Sequence, residues 1–133
     1  IGDPGLVAAL ETVKGSFNSY PLDRLAQVAA VAAIEDEAWF EDTRRRVIEA
    51  RESLADALRE LGFEVLPSAT NFLFVRHPAV AGLELFDGLR REGILVRRFD
   101  APRIDQFLRI SIGTPAQCRR LRDTLASLLD RKG

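Results

Sequence analysis

Apolar positions along this chain recur with two different periods, and the change of period divides it. Over 37–61, Trp39, Val47, Leu54, Leu58 and Leu61 stay on one side of a 3.6-residue repeat. That spacing predicts a single long helix, with Gly62 as its stop. Two shorter helices are predicted ahead of it. The first carries Leu6, Val7, Leu10 and Val13, with Asp3 to cap it, Pro4 in its first turn and Gly15 at its close. After a loop over 16–20, the second opens at Pro21 and carries Leu22, Leu25 and Val28. Its alanine-rich run over 29–33 lets another helix approach closely.

Beyond Gly62 the pattern shortens. Strands are predicted over 63–66, 71–75, 94–97 and 107–112, in runs rich in Phe, Leu, Ile and Val. A helix over 79–91 separates the second strand from the third and ends at Gly93. The last helix starts at Thr114-Pro115-Ala116-Gln117. There Thr114 can cap, Pro115 suits the first helical position, and Gln117 can close a capping box. The order is three helices, then strand-strand-helix-strand-strand-helix. It predicts an α+β fold: a small mixed sheet of about four strands with helices packed on one face, preceded by lead-in helices. The handover is expected near residue 45, giving a lead-in segment over 1–45 and a C-terminal small domain over 46–133.

Composition narrows the function classes. The 133 residues suit one compact domain. Nineteen basic residues balance twenty acidic ones, so no basic excess exists to hold a nucleic-acid backbone. The apolar runs are too short to span a bilayer, and no secretory signal is visible. Cys118 and His77 are the only residues of their kinds, so neither a disulfide nor a metal site is expected, and a reducing cytoplasm is the natural location. The run Arg44-Arg45-Arg46 lies within helical reach of Glu41, Asp42, Glu49 and Glu52, which predicts a solvated, ion-paired face. The chain has no methionine and begins at Ile1, and it is expected to be part of something longer.

No Ser/His/Asp set, carboxylate dyad or phosphate-cradling glycine loop is present, so no catalytic residue is assigned. The candidates are polar residues set among apolar strands. In 107–112, Leu108, Ile110 and Ile112 share one face, and Arg109 lies on the other with Phe107 and Ser111. A mid-strand arginine must find water, a carboxylate or a ligand anion. The pattern leaves a structural salt bridge and anion binding both open. Arg97, at the exit of its strand, is either solvated or a second anion contact. Asn71 can orient a ligand or cap the start of its strand. Tyr20 is a packing aromatic or a cleft residue.

Four segments, taken in order, resemble the C-terminal part of the histidinol-phosphate aminotransferases, within the class I/II aminotransferases of pyridoxal-phosphate (PLP) fold type I. They are Phe17-Asn18-Ser19-Tyr20-Pro21-Leu22-Asp23, Thr70-Asn71-Phe72-Leu73-Phe74-Val75, Gly93-Ile94-Leu95-Val96-Arg97 and Leu108-Arg109-Ile110-Ser111-Ile112-Gly113-Thr114. The resemblance covers essentially the whole chain. It implies that Arg109 binds the substrate α-carboxylate, that Arg97 lies near the distal phosphate of histidinol phosphate, and that Asn71 and Tyr20 shape the cleft. It also implies that PLP serves the parent enzyme, a homodimer in which 1–45 is the tail of the large PLP-binding domain. Ile1-Gly2 then ends a segment that follows the cofactor-holding lysine. Lys14 and Lys132 match neither that lysine nor the arginine that holds the PLP phosphate, so this portion alone is expected to bind no PLP, to be inactive, and to dimerise or swap domains. Two relatives with the same fold are alternatives, an aromatic-amino-acid aminotransferase and a threonine-phosphate decarboxylase. From another class, a small-molecule-binding regulatory module shares the later strand and helix order but leaves the lead-in helices without a role.

Overall fold

The computed structural model describes residues 2–17 and 22–131. The chain divides into two compact units, Ile1–Phe40 and Glu41–Gly133.

The first unit holds α1 (Pro4–Phe17) and α2 (Arg24–Glu35), and α3 (Glu37–Glu60) starts within it. Asp3 caps α1 as expected, accepting from the backbone N–H groups of Gly5 and Leu6 at 2.9 and 3.1 Å. Gly15 does not close the helix, which runs on to Phe17. The cap of α2 is Asp23, whose carboxylate accepts from the Ala26 N–H at 2.8 Å. The helix therefore begins at Arg24, and Pro21 lies outside the described residues. No residue of α2 is buried, and Leu25 and Ile34 are more than three-quarters exposed.

The second unit contains most of α3, then β1 (Glu64–Val65), β2 (Phe72–Arg76), α4 (Gly82–Arg91), β3 (Arg97–Arg98), β4 (Leu108–Ser111) and α5 (Pro115–Asp130). The four strands form one sheet in the order β1-β2-β4-β3. The α+β class and the four strands stand as expected, but the sheet is antiparallel throughout and not mixed. β2 and β3 run in the same direction on either side of α4. β4 inserts between them and pairs antiparallel with both, so the two parallel-running strands share no hydrogen bonds.

Two helix ends explain where strands can start. Gly62 and Gly93 both take positive φ, 86° and 71°, a backbone region that costs a side chain-bearing residue energy. After each glycine the next N–H reaches back five residues, Phe63 to the Leu58 carbonyl at 3.0 Å and Ile94 to the Leu89 carbonyl at 2.9 Å. The glycine N–H groups themselves donate to the carbonyls of Arg59 and Arg90, and together these bonds close the orphan carbonyls at each helix end. Ile94 is thereby committed to the end of α4, and the ladder expected from 94 forms only at Arg97 and Arg98. The start of α4 also moves, from 79 to Gly82, because the Ala79 N–H donates to His77 Nδ1 at 3.2 Å in the preceding turn. The capping box of α5 forms as read, with Gln117 N–H donating to Thr114 Oγ1 and Thr114 N–H donating to Gln117 Oε1.

The core lies on one face of the sheet. Leu73 and Val75 of β2 and Leu108 and Ile110 of β4 meet Leu54, Ala55 and Leu58 of α3, Leu85 and Leu89 of α4, and Leu121 and Leu125 of α5. Area burial of this kind is the main source of stability. The exposed arginines of α3 pair along the helix as predicted, Arg44 with Glu41 at 2.6 Å and Arg45 with Glu49 at 3.1 Å. Such solvated pairs contribute little to stability. Among the described residues no helix is long and apolar enough to cross a membrane, and no group of His, Cys, Asp or Glu could hold a metal.

Two stretches of backbone approach closely at the start of α4. Gln106 Oε1 accepts from the Gly82 N–H at 3.1 Å. A Cβ on Gly82 would sit 2.5 Å from the Gln106 carbonyl oxygen. Backbone on both sides cannot yield as a side chain does. Gly82→Ala is expected to lower the stability of the full-length protein by about 1–3 kcal/mol, read as a lower urea midpoint. An unchanged midpoint would show that the loop before β4 moves freely.

Candidate functional site

The face of the sheet opposite the core is built from alternate residues of three strands. Phe72, Phe74 and Arg76 come from β2, Arg97 from β3 with Phe99 just beyond it, and Phe107 and Arg109 from in and before β4. Leu73, Val75, Leu108 and Ile110, their neighbours in sequence, are buried on the other side, as the two-residue period of a strand requires. In the ladder, Phe74 lies opposite Arg109 and Arg109 lies opposite Arg97. One row across the sheet therefore reads phenylalanine, arginine, arginine.

Like charges directly opposite each other on neighbouring strands destabilise a sheet. No carboxylate relieves this pair: among the described residues, neither Arg97 nor Arg109 takes part in a salt bridge. The structural salt bridge left open for Arg109 does not form among them. What the two arginines have is aromatic support. The Arg109 guanidinium carbon lies 5.2 Å from the centre of the Phe72 ring and 5.8 Å from that of Phe99. The Arg97 guanidinium carbon lies 5.0 Å from the same Phe99 ring. Each contact is favourable through the ring quadrupole and leaves the planar N–H fork free. The rings support one another in turn. Phe74 stacks on Phe107 with centres 4.7 Å apart and meets Phe99 edge-on at 6.2 Å. Arg76 covers Phe107 at 5.3 Å, but it is neutralised by Glu64 at 2.6 Å. Among the described residues on this face of the sheet, the arginines without a counter-ion are Arg97 and Arg109.

Asn71 stands one residue before Phe72. Its carbonyl accepts from the Ile112 N–H at 2.9 Å and extends the β2–β4 ladder. The strand-start role left open for its side chain is filled by others, since Ser68 Oγ donates to the Phe72 carbonyl at 2.6 Å and Thr70 Oγ1 lies 3.1 Å from Ser68 Oγ. Asn71 itself is exposed. Tyr20 lies outside the described residues. The structure thus brings Arg97 and Arg109 together and puts Asn71 beside the ring that supports Arg109.

Arg51 was not singled out in the sequence. It is the one buried charged residue among those described, 9% exposed. Its Nη1 donates to the Thr70 carbonyl at 3.0 Å, and its Nε and Nη2 both donate to Glu52 Oε1. It fastens α3 to the turn that delivers Asn71 and Phe72. The signal was present in the spacing, because Arg51 falls on the stripe of Val47, Leu54 and Leu58 where an apolar residue is due.

A concavity of about 860 Å³ lies on the helical side, lined by Val47, Ala50 and Leu54 of α3 and Thr114, Pro115 and Cys118 near the start of α5. It contains none of the candidates. The cross-strand arginine pair with its shared rings, not depth, marks the outer face of the sheet.

An open sheet face with paired, ring-backed arginines suits recognition of an anionic small molecule. Comparison with known proteins identifies the family. The pattern described as aminotransferase class I and II matches residues 1–125. The chain belongs to that family. This aminotransferase chain is 57% identical over 129 residues to histidinol-phosphate aminotransferase 1 of Methylococcus capsulatus, covering 97% of itself and 36% of that protein. It is 56% identical over 128 residues to histidinol-phosphate aminotransferase 2 of Dechloromonas aromatica, again covering 36% of that protein. The chain therefore spans little more than a third of the length of these curated relatives. The solved histidinol-phosphate aminotransferase of Sinorhizobium meliloti, in complex with pyridoxal-5'-phosphate, superimposes with a TM-score of 0.78 at 24% identity, over 87% of this chain and 32% of that one. That likeness shows the shared fold. Family membership also displaces the reading as a free-standing regulatory module, since both the lead-in helices and the sheet fall within the match.

Arg51→Met would leave the Thr70 carbonyl without its charged donor. It is expected to lower the stability of the full-length aminotransferase by about 1–3 kcal/mol, measured as a shift in urea midpoint. Arg51→Lys should recover only part of the loss, having no planar fork. An unshifted midpoint for Arg51→Met would show that the contact carries no weight.

Proposed function

We propose that this chain is the substrate-orienting C-terminal portion of a histidinol-phosphate aminotransferase. The full-length enzyme moves an amino group between glutamate and imidazole-acetol phosphate in histidine biosynthesis. The observation that carries the reading is the cross-strand pair Arg97 and Arg109, without a carboxylate between them and backed by shared rings. Two nearby cations suit a substrate with an anion at each end.

Arg109 takes the α-carboxylate, which both amino donor and acceptor carry. Its guanidinium presents two parallel N–H groups to the two oxygens. Rings on two sides restrict its movement, so little freedom is lost when substrate arrives. Fixing the carboxylate fixes the direction of the bonds at Cα. Arg97 takes the distal phosphate, which glutamate lacks. Asn71 and Tyr20 complete the wall of the cleft in this reading.

Pyridoxal phosphate supplies the electron sink for such chemistry when bound. The residues here do not fit its covalent site. Lys14 and Lys132 are the only lysines, and no lysine occurs between 41 and 131, the described part of the second unit. Its cations are arginines, which grip anions but do not bond to an aldehyde. In this reading the cofactor is held by the rest of the enzyme, and this portion has no activity alone. The first unit, with the sequence on to about 45, is the tail of the large domain, and 46–133 is the small domain of a cytoplasmic homodimer.

In the full-length enzyme, Arg109→Ala should lower kcat/KM for both substrates. Losing one partner of a desolvated charged pair costs on the order of 2–5 kcal/mol, roughly a 30- to several-thousand-fold fall. Arg109→Lys should restore activity only in part. Arg97→Ala should penalise histidinol phosphate and spare glutamate. Steady-state kinetics of both half-reactions decide the matter, and an Arg109→Ala enzyme within about threefold of the parent would end this assignment.

Leu6, Leu10, Leu22, Leu25 and Val28 are exposed, and apolar surface of this kind drives association. The isolated chain is expected to sediment as a dimer, through contacts or exchange of its first 40 or so residues, and to show no stoichiometric change in the absorption of added pyridoxal phosphate. A clean monomer at high concentration would count against the first expectation, and a stoichiometric band lost on changing one lysine against the second.

A further inference from the structure

The ring of Phe99 is the only aromatic group, among the described residues, that lies under two guanidinium groups at once. The Arg97 guanidinium carbon stands 5.0 Å from its centre and that of Arg109 5.8 Å. Phe99 is two residues beyond Arg97, so strand alternation returns it to the same face. It is half-buried and meets the Phe74 ring edge-on at 6.2 Å. Phe74 is itself fixed by stacking on Phe107 at 4.7 Å. The ring therefore has a fixed neighbour in Phe74 and lies within cation–π reach of two like charges.

We propose that Phe99 is a positioning residue that holds the two anion-binding arginines side by side, so that each presents its guanidinium to an anionic group of the substrate. The inference rests on the reading of Arg97 and Arg109 given above. Opposed like charges repel; Phe72 supports Arg109 alone, and the Phe99 ring is the support that the two arginines share. A single ring attracts both to one place. Each guanidinium keeps its hydrogen-bonding edge directed away from the ring, where a carboxylate and a phosphate can meet them separately. Phe99 itself touches no substrate in this scheme and acts only through the arginines. Its loss should therefore weaken recognition of either anion, whereas loss of Arg97 should weaken recognition of the phosphate alone.

The test uses the full-length holoenzyme, with histidinol phosphate and glutamate as substrates, and compares Phe99→Leu, Phe99→Met and Phe99→Tyr with Arg97→Ala and Arg109→Ala. Phe99→Leu and Phe99→Met remove the ring and keep apolar bulk. Each should raise KM for both substrates by roughly two- to fivefold, the range of one partly exposed cation–π contact. Their kcat should stay within about twofold, because the lost contact exists in ground state and transition state alike. Phe99→Tyr keeps the ring and should behave as the parent. The glutamate KM separates the roles, since it should rise in Phe99→Leu and not in Arg97→Ala. A lower melting temperature or kcat with KM unmoved would make Phe99 merely structural and overturn the proposal. So would a Tyr variant as impaired as the Leu variant, or a Leu variant affecting only the phosphate substrate. Arg109→Ala keeps the two levels apart. If it too leaves kinetics normal, the carboxylate reading fails first. If it is impaired while Phe99→Leu and Phe99→Met are normal, only the role of Phe99 falls.

Discussion

Two positive charges face each other across neighbouring strands, and the architecture of the second unit is arranged around that constraint. Arg97 and Arg109 are opposed because β4 lies between β2 and β3. Had β3 paired directly with β2, as a simple strand-helix-strand unit allows, Arg109 would stand at the sheet edge with water on one side. The inserted strand instead places it in the middle, with Phe72 and Phe99 flanking it. There Arg109 is partly covered by two rings and still open to a ligand.

The helical side stabilises this arrangement from behind. Leu73 and Val75 anchor β2 in the core, and Leu108 and Ile110 anchor β4. Every core residue on these strands fixes, by alternation, the direction of its neighbour on the outer face. Arg51 adds a polar tie through the Thr70 carbonyl, so the long helix and the ring under Arg109 are joined by three residues of chain. Close packing transmits such ties with little slack.

Features set by neighbours in the chain were legible in the sequence. The Thr114/Gln117 capping box, the stops at Gly62 and Gly93 and the two faces of 107–112 each depend on residues within one turn or one strand. Features set across the fold were not. The antiparallel order follows from β4 choosing a place between β2 and β3, and no local pattern records that choice. The apolar run at 94–96 reads as strand, yet Ile94 gives its N–H to the end of α4. Arg109 and Arg97 stood out as charges among apolar neighbours, but Phe99 did not, because its importance lies in what packs against it from other strands. Arg51 is hidden for a different reason. It follows a run of ion-paired arginines, and only its place on the apolar stripe shows that it points inward.

Both outermost strands of the sheet are two residues long, Glu64–Val65 on one side and Arg97–Arg98 on the other. Pro67 follows the first and the second consists wholly of arginine. A strand edge this short and this charged offers a passing chain almost no free backbone to template on. Peptides that bind by adding a strand need several consecutive rungs, and neither border supplies them. Growth of the sheet into fibrils or strand-swapped polymers is blocked at both borders, even though its broad aromatic face is left open.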